Sequence, residues 1–204
     1  DGLKLRRPNG DNATVEDARL QNRAVISLTA TGEDQVWGVT YHGDVFRLSG
    51  SKLDAYYPAA SFNGLNCISI FCSKISNLYA GTTGNTLLRY VDGNLVPIST
   101  GADTNITRIS QDSENRIWLC TDRGLGYLDA ARTYHAAAGA LMAISLENMV
   151  EDYEHNYWVA SSRHGLLHLV KSQFHNIGFA GQLQTDVYNA TQLLKSEGYL
   201  EVTD

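Results

Sequence analysis

The sequence predicts an all-β chain folded as a β-propeller of about five four-stranded blades, and three observations predict it. A unit of roughly 40 residues recurs five times along the 204 residues. Three columns recur in step with it: a large anchor residue, a hydroxyl three positions on, and a glycine soon after. Each unit divides into short apolar or alternating runs cut by polar turns. No amphipathic run is long enough for a helical repeat outside residues 130–146, an alanine-rich stretch that reads as mostly irregular.

The copies start near residues 25, 67, 106, 146 and 187, and one domain over 1–204 is expected. Their anchors are Trp37, Tyr79, Trp118, Trp158 and Leu200, spaced by about 42, 39, 40 and 42 residues. The hydroxyls are Thr40, Thr82, Thr121, Ser161 and Thr203, and Gly43, Gly84, Gly124 and Gly165 follow the first four. In the first unit, residues 25–28 make one strand, TGED a turn and 36–40 a second strand. A hairpin at Gly43 leads to a third strand at 45–48, and a weaker fourth lies near 55–57. A blade cannot bury both faces alone, so a flat aromatic on the second strand fills the wedge against its neighbour. The hydroxyl bridges the turn and the glycine supplies a positive φ. The tryptophans therefore read as scaffold, not as a ligand cage.

The chain ends GYLEVTD and begins DGLKL, which read head to tail match TDRGLGYL at 121–128, Gly2 falling where Gly124 does. The two ends thus carry complementary halves of one blade, completed by residues 1–7. Either five blades close into a ring through this composite blade, or the chain is a segment of a larger wheel. Closure hides sheet edges, whereas an open arc exposes apolar faces and is expected to self-associate.

Composition narrows the function. A net charge of −6 with no Lys/Arg run argues against nucleic acid. Cys67, Cys72 and Cys120 are too few for a disulfide scaffold and read as small, unpaired core residues. The sequence has no run of 18 apolar residues, and its first ten residues are no signal peptide, so a longer protein is expected to contain it.

Chemistry is sparse. The histidines show no metal-binding spacing on a helix, and the GTTGN at 81–85 is a hairpin turn, not a phosphate loop. Asp34, Asp112 and Asp152 sit in turns, where an aspartate bonds its own backbone. No catalytic residue, metal or cofactor is expected. Position on the wheel is more informative. Loops joining second and third strands open on the same face as loops joining blades. They carry Tyr41 and His42, Asn85, Asp122 and Arg123, and Arg163 and His164, which differ while the scaffold columns repeat. That is what a binding surface requires, and two arginines one repeat apart suit a carboxylate or sulfate.

Ile106-Thr107-Arg108-Ile109-Ser110-Gln111-Asp112, followed by Ile117-Trp118-Leu119-Cys120-Thr121 and Gly124-Leu125, resembles the two-component regulator propeller repeat. The copy at 149–166 resembles it next best, while those opening at Val25 and Cys67 lack the aspartate. The resemblance implies a non-catalytic, extracytoplasmic sensor propeller of a bacterial signal-transduction protein, joined to a membrane through flanking segments. It implies a carbohydrate-type ligand, to which the paired Arg123 and Arg163 add a small anionic one as the expectation from the residues themselves. The chain departs from it in length, since such sensors usually carry more repeats. A protein-interaction or self-assembly scaffold is the alternative, and a propeller lyase or lactonase a remote one.

Overall fold

The computed structural model describes residues 3–6, 12–101, 104–137, 144–170, 189–194 and 199–203. The chain divides into two compact units, Asp1–Lys171 and Ser172–Asp204. In the first, β1 (Lys4–Arg6) and β2 (Asn12–Thr14) pair as a hairpin ahead of the first repeat. The first blade comprises β3 (Val25–Ala30), β4 (Gln35–Thr40), β5 (Val45–Ser49) and β6 (Lys52–Tyr57). The second comprises β7 (Cys67–Cys72), β8 (Leu78–Thr82), β9 (Thr86–Val91) and β10 (Asn94–Ser99). The third comprises β11 (Ile106–Gln111), β12 (Ile117–Thr121), β13 (Gly124–Leu128) and the short β14 (Tyr134–Ala136). The fourth has three described strands, β15 (Leu146–Glu151), β16 (Tyr157–Ser161) and β17 (Gly165–Leu169). Each sheet is an antiparallel meander in which sequence neighbours are spatial neighbours, the topology of propeller blades. The stretch 130–146 holds β14 and no helix among its described residues.

First strands meet across blades, β3 against β7, β7 against β11 and β11 against β15, so they line the axis. Every one bulges at the same place: the register shifts between Val25 and Ser27, Cys67 and Ser69, Ile106 and Arg108, and Leu146 and Asn148. One extra residue bends the strand and increases its twist, and recurrence at one position makes each blade bend alike.

The cores lie between sheets, as the wedge reading requires. Trp37, Val39 and Val45 pack with Cys67, Ile70 and Leu88 of the second blade. Tyr79 and Leu87 pack with Ile106, Ile117 and Leu119 of the third. Trp118 and Cys120 pack with Leu146, Met149 and Val159 of the fourth. The other face of the first blade is covered by Val15, Leu20 and Leu3 of the N-terminal segment against Phe46 and Leu48. The three cysteines are unpaired, and burial pushes the Cys67 and Cys120 thiols up to about 12, which makes them inert packing groups.

In the second unit β18 (Asn189–Leu194) pairs with β19 (Tyr199–Thr203), with the same bulge between Ala190 and Gln192. Its register corrects the fifth copy by one residue. Leu194 pairs with Tyr199 as Thr29 pairs with Trp37, so Tyr199 takes the anchor position in place of Leu200. Val202, not Thr203, then stands opposite Ala190 where Thr40 stands opposite Val25. The junction expected between Asp204 and Asp1-Gly2 lies outside the described residues.

Trp118 is 9% exposed, stacked obliquely on Tyr127 and Tyr157 with centroids 5.2 and 5.3 Å away. Trp118→Ala empties the wedge between the third and fourth blades and is expected to destabilise the fold by about 3–5 kcal/mol. Chemical denaturation measures this; an unchanged midpoint would remove Trp118 from the core.

Candidate functional site

The turns joining second and third strands rest on repeated bonds. Thr40 Oγ1 donates to Asp44 Oδ2 at 3.0 Å, Thr82 Oγ1 to Thr86 O at 2.6 Å and Thr121 Oγ1 to Gly124 O at 2.8 Å. Ser161 Oγ accepts from the backbone N–H of Arg163 and His164. The following glycines hold φ of +86°, +107°, +129° and +73°, a region L-residues avoid. The first turn residue then reaches back to the segment before its own blade: Tyr41 N donates to Ala24 O, Thr83 N to Asn66 O and Asp122 N to Asn105 O. Turns and blade connectors therefore share one face, as the sequence predicts.

Six of the seven expected site residues stand exposed on this face: Tyr41, His42, Asn85, Arg123, Arg163 and His164. Tyr41 is 73% exposed and meets the His42 ring edge-on at 5.9 Å. Asp122 is engaged in the scaffold. Its Oδ1 accepts from Asn105 N at 2.9 Å and its Oδ2 from Asn105 Nδ2 at 2.8 Å. Asn105 Oδ1 in turn accepts from Gly84 N, so Asp122 braces the second blade against the third. The face has a buried aspartate that sequence reasoning passed over. Asp44 accepts from Thr40, from Ala59 N at 3.0 Å and from the Arg23 guanidinium at 3.3 Å. Burial alone would raise its carboxyl; hydrogen bonds from Ala59, Tyr56 and Thr40 and the charge of Arg23 hold it below the ordinary value. Its signal was an aspartate directly after the turn glycine.

The opposite end carries a polar cluster centred on Asp112. Asp112 Oδ1 accepts from Arg116 N, the turn bond expected of it. Its Oδ2 also accepts from Trp118 Nε1 at 2.8 Å, Arg116 Nε at 2.6 Å and Tyr157 OH at 3.1 Å. Asp152 repeats the pattern, with Oδ1 on Asn156 N and Oδ2 on Trp158 Nε1 at 3.0 Å. The six-residue spacing from aspartate to tryptophan in these two copies was the available signal. In the second blade Ser73 Oγ accepts from Asn77 N and no indole follows. In the first, Trp37 lies instead under Arg47, stacked on Tyr57 and edge-on to Tyr90.

Beside this cluster Ser113, His155 and Glu151 converge. Ser113 Oγ donates to Glu151 Oε1 at 2.6 Å and approaches His155 Nδ1 at 3.1 Å, while Glu151 Oε1 lies 2.8 Å from that same nitrogen. A hydrolytic relay needs acid and hydroxyl on different ring nitrogens. Both here address Nδ1, so the trio pins the third blade to the fourth. Among the described residues no group of three or more His, Cys, Asp or Glu is arranged to hold a metal.

Antiparallel four-stranded meanders packed face to face define a β-propeller segment. More narrowly, residues 100–123, which span the first two strands of the third blade, match the family described as two component regulator propeller. Solved structures carry the same fold. The extracellular domain of one putative hybrid two component system from B. thetaiotaomicron is 20% identical, with a TM-score of 0.59 over 72% of this chain and 21% of its own. A second such domain is 19% identical, with a TM-score of 0.63 over 86% of this chain and 25% of its own. Virginiamycin B lyase from Staphylococcus aureus is 11% identical, with a TM-score of 0.64 over 81% of this chain and 61% of its own. The chain thus spans a quarter or less of these two extracellular domains. No curated protein matches it. No helix among the described residues is long and apolar enough to cross a membrane.

The matched segment includes both Asp112 and Trp118, and their bond is open to test by pH. Burial pushes the Asp112 carboxyl up, but the Trp118 and Arg116 bonds outweigh it and hold it below the ordinary carboxylate value. A lowered folded value means stability that is complete above the unfolded pKa, about 4, and lost as pH falls through the folded one. Asp112→Asn removes the charge that both donors seek, at roughly 1–3 kcal/mol near neutrality. Denaturation midpoints from pH 7 down to about 2.5 should fall less steeply for the variant; parallel slopes would place the acid sensitivity elsewhere.

Proposed function

We propose that this chain is part of a ligand-sensing propeller of a bacterial signal-transduction protein, non-catalytic and placed outside the cytoplasm. The observation that carries the reading is the turn face: a hydrogen-bonded scaffold that repeats from blade to blade, under exposed side chains that do not. Tyr41, His42, Asn85, Arg123, Arg163 and His164 offer three rings, one amide and two guanidinium groups. Such a set suits an oligosaccharide or small acid, with aromatic and amide groups on hydroxyls and arginines on an anionic substituent. Asp122 supports this face through Asn105. The likeness to extracellular domains of hybrid two component systems supports a sensing role and an extracytoplasmic location. Against catalysis stands the Ser113–His155–Glu151 geometry, which cannot relay a proton through the ring.

A protein-interaction or self-assembly scaffold is the second reading. It is favoured by Ile75, 71% exposed, and Tyr153, 90% exposed, both on turns at the opposite end.

Arg123→Ala with Arg163→Ala separates the two. Both side chains are exposed, so stability should change by about 0.5 kcal/mol or less. Binding to the anionic glycan or metabolite that a screen of the parent chain identifies should be abolished. Unchanged affinity would take the site off this face and move the scaffold reading ahead.

A further inference from the structure

The inner strands of the four blades enclose a cavity of about 280 Å³ on the axis. Its walls are mostly apolar, with Leu28, Ile70, Phe71 and Met149 among them. Four polar side chains interrupt them: Thr29 of the first blade, engaged by Cys72 N across the seam, and three from the third and fourth blades, Arg108, Ser110 and Asn148.

The register shows why these three are unusual. Arg108 stands opposite Cys120 and Asn148 opposite Ala160, the position that Ser27 takes opposite Val39 and Ser69 opposite Gly81. In the first two blades that position is a seam hydroxyl. Ser27 Oγ accepts from Ile70 N at 3.1 Å, and Ser69 Oγ donates to Ile106 O at 2.9 Å. The third blade makes its seam bond one residue earlier, from Thr107 Oγ1 to Leu146 O at 2.6 Å. Arg108 is thereby released from the seam. Its side chain is exposed to the axis and makes no ion pair or hydrogen bond among the described residues.

Ser110 shows the same departure. Its counterpart Thr29 accepts from Cys72 N across the seam at 3.0 Å. Ser110 Oγ is buried and has no hydrogen-bond partner among the described residues. Buried hydroxyls without partners are uncommon and point to a missing group. Asn148 bonds only the adjacent Met149 N, through Oδ1, which leaves its amide donors open among the described residues. No carboxylate lines the cavity.

We infer that this axial cavity is a binding site for a small amphipathic carboxylic acid, its carboxylate on Arg108, Ser110 and Asn148 and its apolar body against Leu28, Phe71 and Met149. A guanidinium pairs bidentately with a carboxylate, a hydroxyl and an amide donate to its remaining lone pairs, and a mostly apolar wall with a few convergent polar groups is the usual make-up of a ligand pocket. The site is built from inner strands and is independent of the turn face and of the reading placed on it.

The test is calorimetric or NMR titration of the 204-residue chain with phenylacetate and hexanoate, beside the neutral amides of the same acids. The acids should bind at least about tenfold more tightly than the amides, a difference of about 1.4 kcal/mol. Arg108→Gln should remove that preference, Arg108→Lys should keep part of it, and Arg123→Ala with Arg163→Ala should leave it intact. Thermal midpoints close to the parent's show that the variants are folded. Acids and amides binding alike, an Arg108→Gln chain that still prefers the acid, loss of the preference in the Arg123/Arg163 double variant, or no binding of either acid at tens of millimolar would each overturn the assignment. Loss of glycan or metabolite binding in the double variant with acid binding retained separates this site from the turn face.

Discussion

A sheet of four short strands is apolar on both faces, and no blade of this chain holds enough residues to cover either face by itself. Everything else in the structure follows from how one sheet is laid on the next. The anchor column meets that need with flat rings: Trp37 reaches Tyr90 of the second blade with centroids 4.8 Å apart, and Trp118 reaches Tyr157 of the fourth at 5.3 Å. Ring faces give large contact area at small conformational cost, and tilted or edge-on pairs suit their quadrupoles. The same rings are braced within their own blade by the third-strand residue opposite, Arg47 over Trp37, Tyr127 beside Trp118 and His168 stacked 4.0 Å from Trp158. A wedge held on both sides has one orientation, and the blade above inherits it.

Polar bonds fix the height at which the sheets meet. Apolar packing alone lets one sheet slide over another, but a hydroxyl aimed at a specific carbonyl or N–H does not. Ser27, Thr29, Ser69 and Thr107 each make such a bond from an inner strand to the next blade. At the turn face, a Cβ on Gly43 would meet Asn66 at 2.9 Å, so the connector of the second blade lies directly on the hairpin of the first. The recurrent bulge on each first strand supplies the matching bend. These contacts use backbone and short hydroxyls, which leaves longer side chains on turns and inner strands free to vary without loosening the wheel.

The anchor, hydroxyl and glycine columns were legible in the sequence because each acts within a few residues of itself: a ring on a strand, a hydroxyl across a hairpin, a positive φ at its tip. The blade connectors and the shared face followed from the topology those columns imply. What stayed hidden joins groups that sequence distance keeps apart. Asp112 was readable as a turn residue, yet its second oxygen serves Trp118 in its own blade and Tyr157 in the next, which no local pattern announces. Asp122 looked like a free turn carboxylate; only the partner Asn105, 17 residues earlier, shows it engaged. The fifth copy was shifted by one residue because Leu200 follows an aromatic, and column matching favoured the threonine at 203 over the ring at 199. A two-residue period makes such a slip exchange every side chain between faces.

The seams are not chemically alike, and that difference bears on how the wheel responds to its surroundings. Between the first and second blades the closing groups are rings and neutral hydroxyls, with Tyr57 OH donating to Gly93 O as the outermost bond. Between the third and fourth they include a buried carboxylate with four donors and a second carboxylate, Glu151, bonded by Ser113 and His155. Burial raises Glu151, but the Ser113 and His155 bonds hold it below its ordinary value. Tyr157 is held protonated, pushed up to about 12 by burial and then by the Asp112 charge. Fully satisfied networks of this kind fix one arrangement and are lost as a unit when one member changes charge. In an array whose stability is close to a sum over neighbouring interfaces, the ionic seam adds an acid-sensitive contribution through Asp112 and Glu151 that the rings and hydroxyls between the first and second blades do not. The third blade, whose Arg108 is exposed on the inner strand, is one of the two that this seam joins.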